Sequence, residues 1–460
     1  GRRRHRGGDP GRNAGEHRRM TGPADNPLYA DLFGDAATAG AFTAQAELAA
    51  MIRTEAALAD VQGRVGMIPA ASGDAISAAC ADMRIDPAML AAATARNGVP
   101  VPALVQAIRD RIPAPHGQYL HWGATSQDIM DTGLALRLRP VLDLWQGRLD
   151  DLLAGLGRMA GDHADLPMGA RTYGQLATPT SFGAVVAGWG WPLIEARRDM
   201  DRLRAAVLRL SLAGAAGTLS AMGDQGAQVR ADLAKALDLR DPGHAWHSDR
   251  SGMATLAGWI ATLAASLGKM AEDLLLMTQS GLGLVTISGG GGSSTMPQKQ
   301  NPVAAAALAA LARQVLGLAA VMTGAGLHRQ QRDGAAWFTE WLTLPQLCIS
   351  AGRMLSLTGD LLSRLHPDAS AMQADLQTGN GVIHAEALSF ALVQVIGLDR
   401  VDAAAKVKDL CRQAARDDIQ LTALAEAEWP GHDWPRLLAA RGLGLAPSEA
   451  RDFAQTVLAL

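Results

Sequence analysis

Residues 288–302 read SGGGGSSTMPQKQNP: four consecutive glycines, a serine pair, one lysine and an Asn-Pro step. Gly289 to Gly292 reach backbone angles closed to other residues, so the segment moves and brings its N–H groups close to a ligand. Asn301 is a good helix N-cap and Pro302 suits a first helical position, so the alanine-rich run from Val303 to Ala312 is expected to be a helix with its positive end facing the loop. Lys299 adds a full charge beside that end. A carboxylate, or an intermediate that builds negative charge on one, is stabilised there by the lysine, the dipole and the loop N–H groups together. Ser293 or Ser294, in the same field, ionises more readily than a free hydroxyl. A bare glycine run is more simply a solvated linker. A linker, however, needs neither the Met-Pro step nor the apolar helix that follows.

Outward from this stretch the periodicity is helical almost throughout. In residues 36–65 apolar side chains recur at steps of three and four with Glu47, Arg53 and Asp60 between them, until Gly66 and Pro69 end the pattern. Residues 127–159 form another long pattern in which Pro140 predicts a kink or a break. Residues 181–212, 251–282, 303–325 and 339–365 read as further long helices, most of them apolar on several sides, and such helices must be covered by neighbours. The pattern predicts an all-α bundle, subunit association and a smaller helical part after His366-Pro367.

Composition agrees. The 460 residues are 48% apolar but only 4% aromatic, which suits close helix packing better than a sheet-based core. A net charge of -3 leaves no nucleic-acid footprint. Cys80, Cys348 and Cys411 are odd in number and far apart, so neither a disulfide framework nor a metal cluster is expected, and a reducing cytoplasm fits. Residues 1–19 carry seven arginines and almost nothing apolar. They are read as a leader outside the native protein, translated upstream sequence or a disordered tail rather than a nucleic-acid arm, with Met20 as the start. Residues 274–298 are uncharged for twenty-five positions, but their glycines and hydroxyl residues predict a core helix ending at Gly281 or Gly283, not a membrane span.

Two further constellations stand out. In HWGATSQD, residues 121–128, Thr125 or Ser126 caps the following helix with Asp128 near the capping-box position, and His121 sits just ahead of the helix end. In RTYGQLATP, residues 171–179, Arg171 is either a surface ion-pair partner or a site residue, and Thr178-Pro179-Thr180 is a candidate helix start.

The run G-S-S-x-M-P-x-K-x-N-P at 292–302 resembles the signature of the fumarase/aspartase superfamily, and the other two constellations resemble its H-x-G-x-T-S-x-D and R-T-x-x-Q-x-A-x-P blocks. The resemblance implies an all-α, three-domain fold with a long central helical bundle, divided here as 20–126, 127–365 and 366–460. It implies Ser293 as the proton-transferring residue, Lys299 and Asn301 on the substrate carboxylate, His121 in the active site, and Thr125, Ser126, Arg171, Thr172 and Gln175 as binding residues. Sister lyases place a histidine where this chain has Tyr173, and a phenol is a poor substitute near neutral pH. That departure, with the segments LFGD, GTLSAMGDQG and AAWFTEWLTLP, resembles the carboxymuconate-lactonizing branch. Trp246 to Arg250, WHSDR, differs from that branch's pattern at Asp249, and Gln331-Arg332 stands where it has Glu-Arg. The branch implies a small tricarboxylate substrate held by His247, Arg250 and Arg332 among others. It implies no metal and no cofactor, and a homotetramer whose sites draw on three subunits, without nucleic-acid or membrane partners. The alternatives are a fumarate-releasing lyase of the same superfamily, or an inactive structural homologue.

Overall fold

The computed structural model describes residues 22–292, 296, 299–439 and 442–460. The leader 1–19 and the serine pair Ser293 and Ser294 lie outside the described residues.

Long helices dominate, as the periodicity predicts. They are α1 (Ala44–Arg64), α2 (Ser126–Asp162), α3 (Phe182–Arg198), α4 (Ser251–Met277), α5 (Val303–Gly324), α6 (Gly334–Leu362) and, at the C-terminus, α7 (Ala446–Leu458). On α2 the fully buried Leu138, Leu142, Trp145, Leu149 and Leu156 follow one another at steps of three, four and seven, a single apolar stripe facing the bundle. Trp145 stacks on Trp259 of α4, their rings 5.9 Å apart and 8° from parallel, and its indole N–H reaches the Thr38 hydroxyl at 3.3 Å. Buried indoles bring large apolar area to a core, provided the N–H finds an acceptor. Trp189 on α3 meets the same condition by donating to Asp273 at 2.6 Å.

The main core is built from α2, α3, α4, α5 and α6. A second apolar cluster joins α1 and the Val101–Arg109 helix to Ile129 and Trp337, and another lies around the Arg400–Asp417 helix. The chain then returns. Phe453 of α7 is fully buried in the main core, its ring against Trp191 at 5.4 Å and against the backbone of Gly190. A Cβ at Gly190 would stand 2.0 Å from that ring, so only glycine fits there.

Several local expectations need correcting. Pro140 does not break α2, which runs unbroken for 37 residues; packing on both sides outweighs the one lost backbone bond. The pattern at 181–212 divides into α3 and a Met200–Val207 helix. Asn301 does not cap α5. It lies in a short strand, β5 (Gln300–Asn301), paired with β4 (Gly291–Gly292), so Asn301 faces Gly291 and Pro302 takes the cap position. α4 ends at Met277, earlier than expected. Gly281 and Gly283, at φ 89° and 56°, turn the chain into β3 (Val285–Ile287), which pairs with β6 (Leu365–Pro367). The uncharged tract is thus, over its described residues, helix end, turn and strand. α4 and α5 are each long and apolar enough to cross a membrane, yet both lie in the bundle core.

Replacing Gly190 by alanine should cost about 1–3 kcal/mol through overpacking, read as a lowered Tm. In a Phe453→Ala background, where the ring is gone, the same change should cost far less than in the wild type. Equal costs in both backgrounds would mean that α7 does not pack as described.

Candidate active site

Three helices start at one end of the bundle: α2 at Ser126, α4 at Ser251 and α6 at Gly334. Each brings N–H groups that lack a partner within the helix and the positive end of its dipole. Buried carboxylates join them. Asp128 accepts the N–H groups of Thr125, Ala213 and Gly214 at 3.0, 2.8 and 2.9 Å and contacts His247 Nε2 at 2.8 Å. Its bond to Thr125 is half of the expected capping box. One turn on, Asp131 takes Arg250 Nη1 and Nη2 at 2.7 and 3.0 Å, while Glu340 of α6 takes Nε and Nη2 at 2.9 and 2.5 Å. Burial alone would lower the Arg250 pKa, but the Asp131 and Glu340 charges outweigh it and raise the value, so the guanidinium stays charged.

Two residues assigned to the substrate, Arg250 and His247, have partners within the chain. Arg250 is 1% exposed, with four of its N–H groups given to carboxylates of the same chain, so it ties three helices together and has little left for a substrate. His247 is equally buried, held by Asp128, with Gln127 Nε2 donating to its carbonyl at 2.9 Å. Asp249, a departure from the family pattern, is also occupied: it accepts the Ser251 N–H at 3.0 Å and lies 3.7 Å from Arg209. Half-buried around this cluster are His121, Thr125, Ser126 and Arg332. Arg332 is aimed by its Nε, which donates to Gln127 Oε1 at 2.7 Å. His121 takes a left-handed backbone (φ 64°) and bonds through Nδ1 to Glu55 Oε1 at 2.6 Å. Burial opposes protonation of the ring, yet the Glu55 charge and hydrogen bond prevail and raise its pKa.

The other two blocks lie at the opposite end. α2 is about 55 Å long, and the second block follows directly on its far end as a hairpin of β1 (Pro167–Thr172) and β2 (Gln175–Ser181). Residues 178–180, a candidate helix start, belong to that hairpin; Ser181 caps α3 instead, accepting the Ala184 N–H at 3.1 Å. Thr172 pairs with Gln175 across a two-residue loop in which Tyr173 and Gly174 both have positive φ, 52° and 75°, as a type I′ turn demands. Tyr173 is fully exposed at this tip. Arg171 is bound bidentately by Asp375, at 2.9 and 2.5 Å, so it fixes the hairpin to the Ala369–Leu376 helix. A cavity of about 470 Å³ is lined by Met168 and Arg171 together with Lys269, Asp273 and Met277 from the end of α4. The strands β3 to β5, exposed Lys299 and half-buried Asn301 follow from that same end. Within one chain, His121, Thr125, Ser126 and Arg332 are therefore separated from Thr172, Gln175, Lys299 and Asn301 by most of the length of α2. Ser293 lies outside the described residues.

Sequence reasoning passed over Glu55, Gln127, Asp131 and Glu340. All four are fully buried polar residues on otherwise apolar helix faces. That mismatch of polarity with the apolar stripe was the available signal.

A family model described as lyase matches residues 29–317. The chain belongs to this lyase family, the fumarase/aspartase superfamily. Within the superfamily it is 37% identical, over 90% of its length and 92% of the relative, to a 3-carboxy-cis,cis-muconate cycloisomerase of Pseudomonas aeruginosa. It is 38% identical, over 86% and 91%, to the enzyme of the same name from Bradyrhizobium diazoefficiens. The crystal structure of 3-carboxy-cis,cis-muconate lactonizing enzyme from Pseudomonas putida superposes with a TM-score of 0.87 at 34% identity, covering 94% of this chain and 99% of that one.

Arg250→Met would leave Asp131 and Glu340 as unpaired buried carboxylates, and removing one partner of such a group costs about 3–5 kcal/mol. The triple variant with Asp131→Asn and Glu340→Gln should recover much of the lost Tm. Thermal melts of the two variants check this, and a mild effect of Arg250→Met alone would refute the structural role.

Proposed function

We propose that this chain is a cytoplasmic, soluble cycloisomerase acting on 3-carboxy-cis,cis-muconate. The reading is carried by its similarity along nearly the whole chain to cycloisomerases of that name, and it is supported by the cationic and hydroxyl groups at the two ends of the bundle. A carboxylate oxygen of the trianion adds to a double bond conjugated with another carboxylate. The new C–O bond displaces the π pair onto that activating carboxylate, and a proton then adds to the adjacent carbon. One carboxylate charge disappears into the lactone and one proton is taken up. Catalysis gains most where the transient charge accumulates. Lys299, the glycine-loop N–H groups and the start of α5 are assigned to that carboxylate. Thr125, Ser126 and Arg332 are assigned to the others, with Thr172, Gln175 and Asn301 orienting the diene, and Ser293 or His121 handling the proton. The chain's own groups suffice for this chemistry, without a cofactor.

The separation along α2 gives the assembly a task. Copies lying antiparallel bring the His121 end of one chain against the Lys299 end of another, which favours a homotetramer with sites shared between subunits. Exposed apolar side chains on α5 and α6, Leu316, Val321, Phe338 and Leu342 among them, supply a face for such contact.

Purified protein should remove the ultraviolet absorbance of carboxymuconate, with Lys299→Met and Ser293→Ala each lowering kcat on the order of a hundredfold. A chain silent on carboxymuconate but releasing fumarate from succinyl adducts would overturn the reading. Co-expressing His121→Asn with Lys299→Met, each inactive alone, should restore part of the activity, because mixed tetramers contain sites with neither lesion. No recovery would mean that sites are not shared.

A further inference from the structure

Glu55 lies in the middle of α1, 66 residues before His121, and no family block includes it. Its side chain is wholly buried, and Oε1 meets His121 Nδ1 at 2.6 Å. The other oxygen, Oε2, is buried without a hydrogen-bond partner among the described residues. A buried carboxylate is costly unless a cation or strong donors stabilise it. Its hydrogen-bond contact is a histidine, on a backbone twisted into the left-handed region. The cost of the buried charge and of the strained turn is borne for a single contact, a pattern that points to function.

Resting on the cycloisomerase reading above, we infer that Glu55 is a positioning residue which fixes His121 through Nδ1 and holds it as an imidazolium, so that His121 Nε2–H is the acid that delivers the proton to carbon. The balance is direct. The Nε2–H bond breaks as the C–H bond forms, the neutral imidazole remains bonded to Glu55 through Nδ1–H, and solvent restores the proton before the next turnover. An imidazolium suits the step better than a serine hydroxyl, because protonating carbon from Ser293 would leave an alkoxide beside a product that still carries two carboxylates. The groups facing the ring come from several elements. Glu55 on α1 and Asp128 on α2 favour its charge, while Arg109 and burial oppose it. Cys80, whose thiol is pushed up to about 12 mainly by burial and then by the Glu55 charge, stays neutral and adds no competing ion.

The sign follows from the raised pKa. His121 remains protonated to higher pH than a free histidine, and kcat/KM falls as pH rises through that value. Glu55→Gln keeps shape and one hydrogen bond but removes the charge. It should therefore lose on the order of tenfold in kcat/KM at pH 8 and progressively less as the pH falls and the ring is protonated even without that charge. Glu55→Asp should restore part of the alkaline activity. A uniform loss at every pH would assign Glu55 a merely structural role and overturn the inference. Independently of turnover, the wild-type tetramer labelled in its histidine rings, with His121→Asn for assignment, gives the His121 titration by NMR. A value above that of free histidine supports the pair and a lower one overturns it, even if Glu55→Gln does not fold. A protein inactive on carboxymuconate whose His121 nevertheless titrates high would sink the proposed substrate while leaving the pair intact.

Discussion

The clamp of Asp131 and Glu340 on Arg250 is the constraint on which the rest depends. It joins α2, α4 and α6 at the ends where their dipoles are positive and would otherwise repel one another. Asp128 extends the same device to His247 and to the segment around Ser211, whose hydroxyl lies 3.4 Å away. Buried ion pairs contribute little net stability compared with apolar packing. Their value here is in register, since a helix slipped by one turn would leave a charge alone in the core. Thr125, Ser126 and Arg332 are placed by this register, so these half-buried donors inherit their precision from the buried charges behind them.

Opposite that rigid end the described chain is built from light pieces: a hairpin with a two-residue loop, two further two-stranded ladders and a glycine segment. The contrast is chemical as well as mechanical. One end offers fixed donors and a histidine tied to a buried carboxylate, and the other offers a lysine on a loop of small residues. Holding an anion needs donors fixed before it arrives.

Much of this was legible in the sequence, and the physical reason is range. Helix periodicity and the Thr125–Asp128 cap are set by residues within a few positions of each other, so the long helices and the start of α2 were readable. The three blocks were readable by resemblance. The partners of charged side chains were not. Arg171 and Asp375 are 204 residues apart, Arg250 and Asp131 are 119 apart, and nothing local distinguishes an arginine that binds substrate from one that anchors a hairpin. Asn301-Pro302 looked like a helix start because cap preferences are local, whereas the ladder that claims Asn301 pairs it with Gly291, ten positions earlier in the chain.

The unbroken run of α2 carries a consequence for how the protein tolerates change. In a helix each added residue advances the far end by about 1.5 Å and rotates it by about 100°, so a single insertion would swing everything beyond it out of phase with the stacked tryptophans and with whatever meets the other end. Connections away from the site residues carry no such phase requirement. The helix itself acts as a gauge block of fixed length, and variation in chain length within such proteins should accumulate at the tips and spare the shaft.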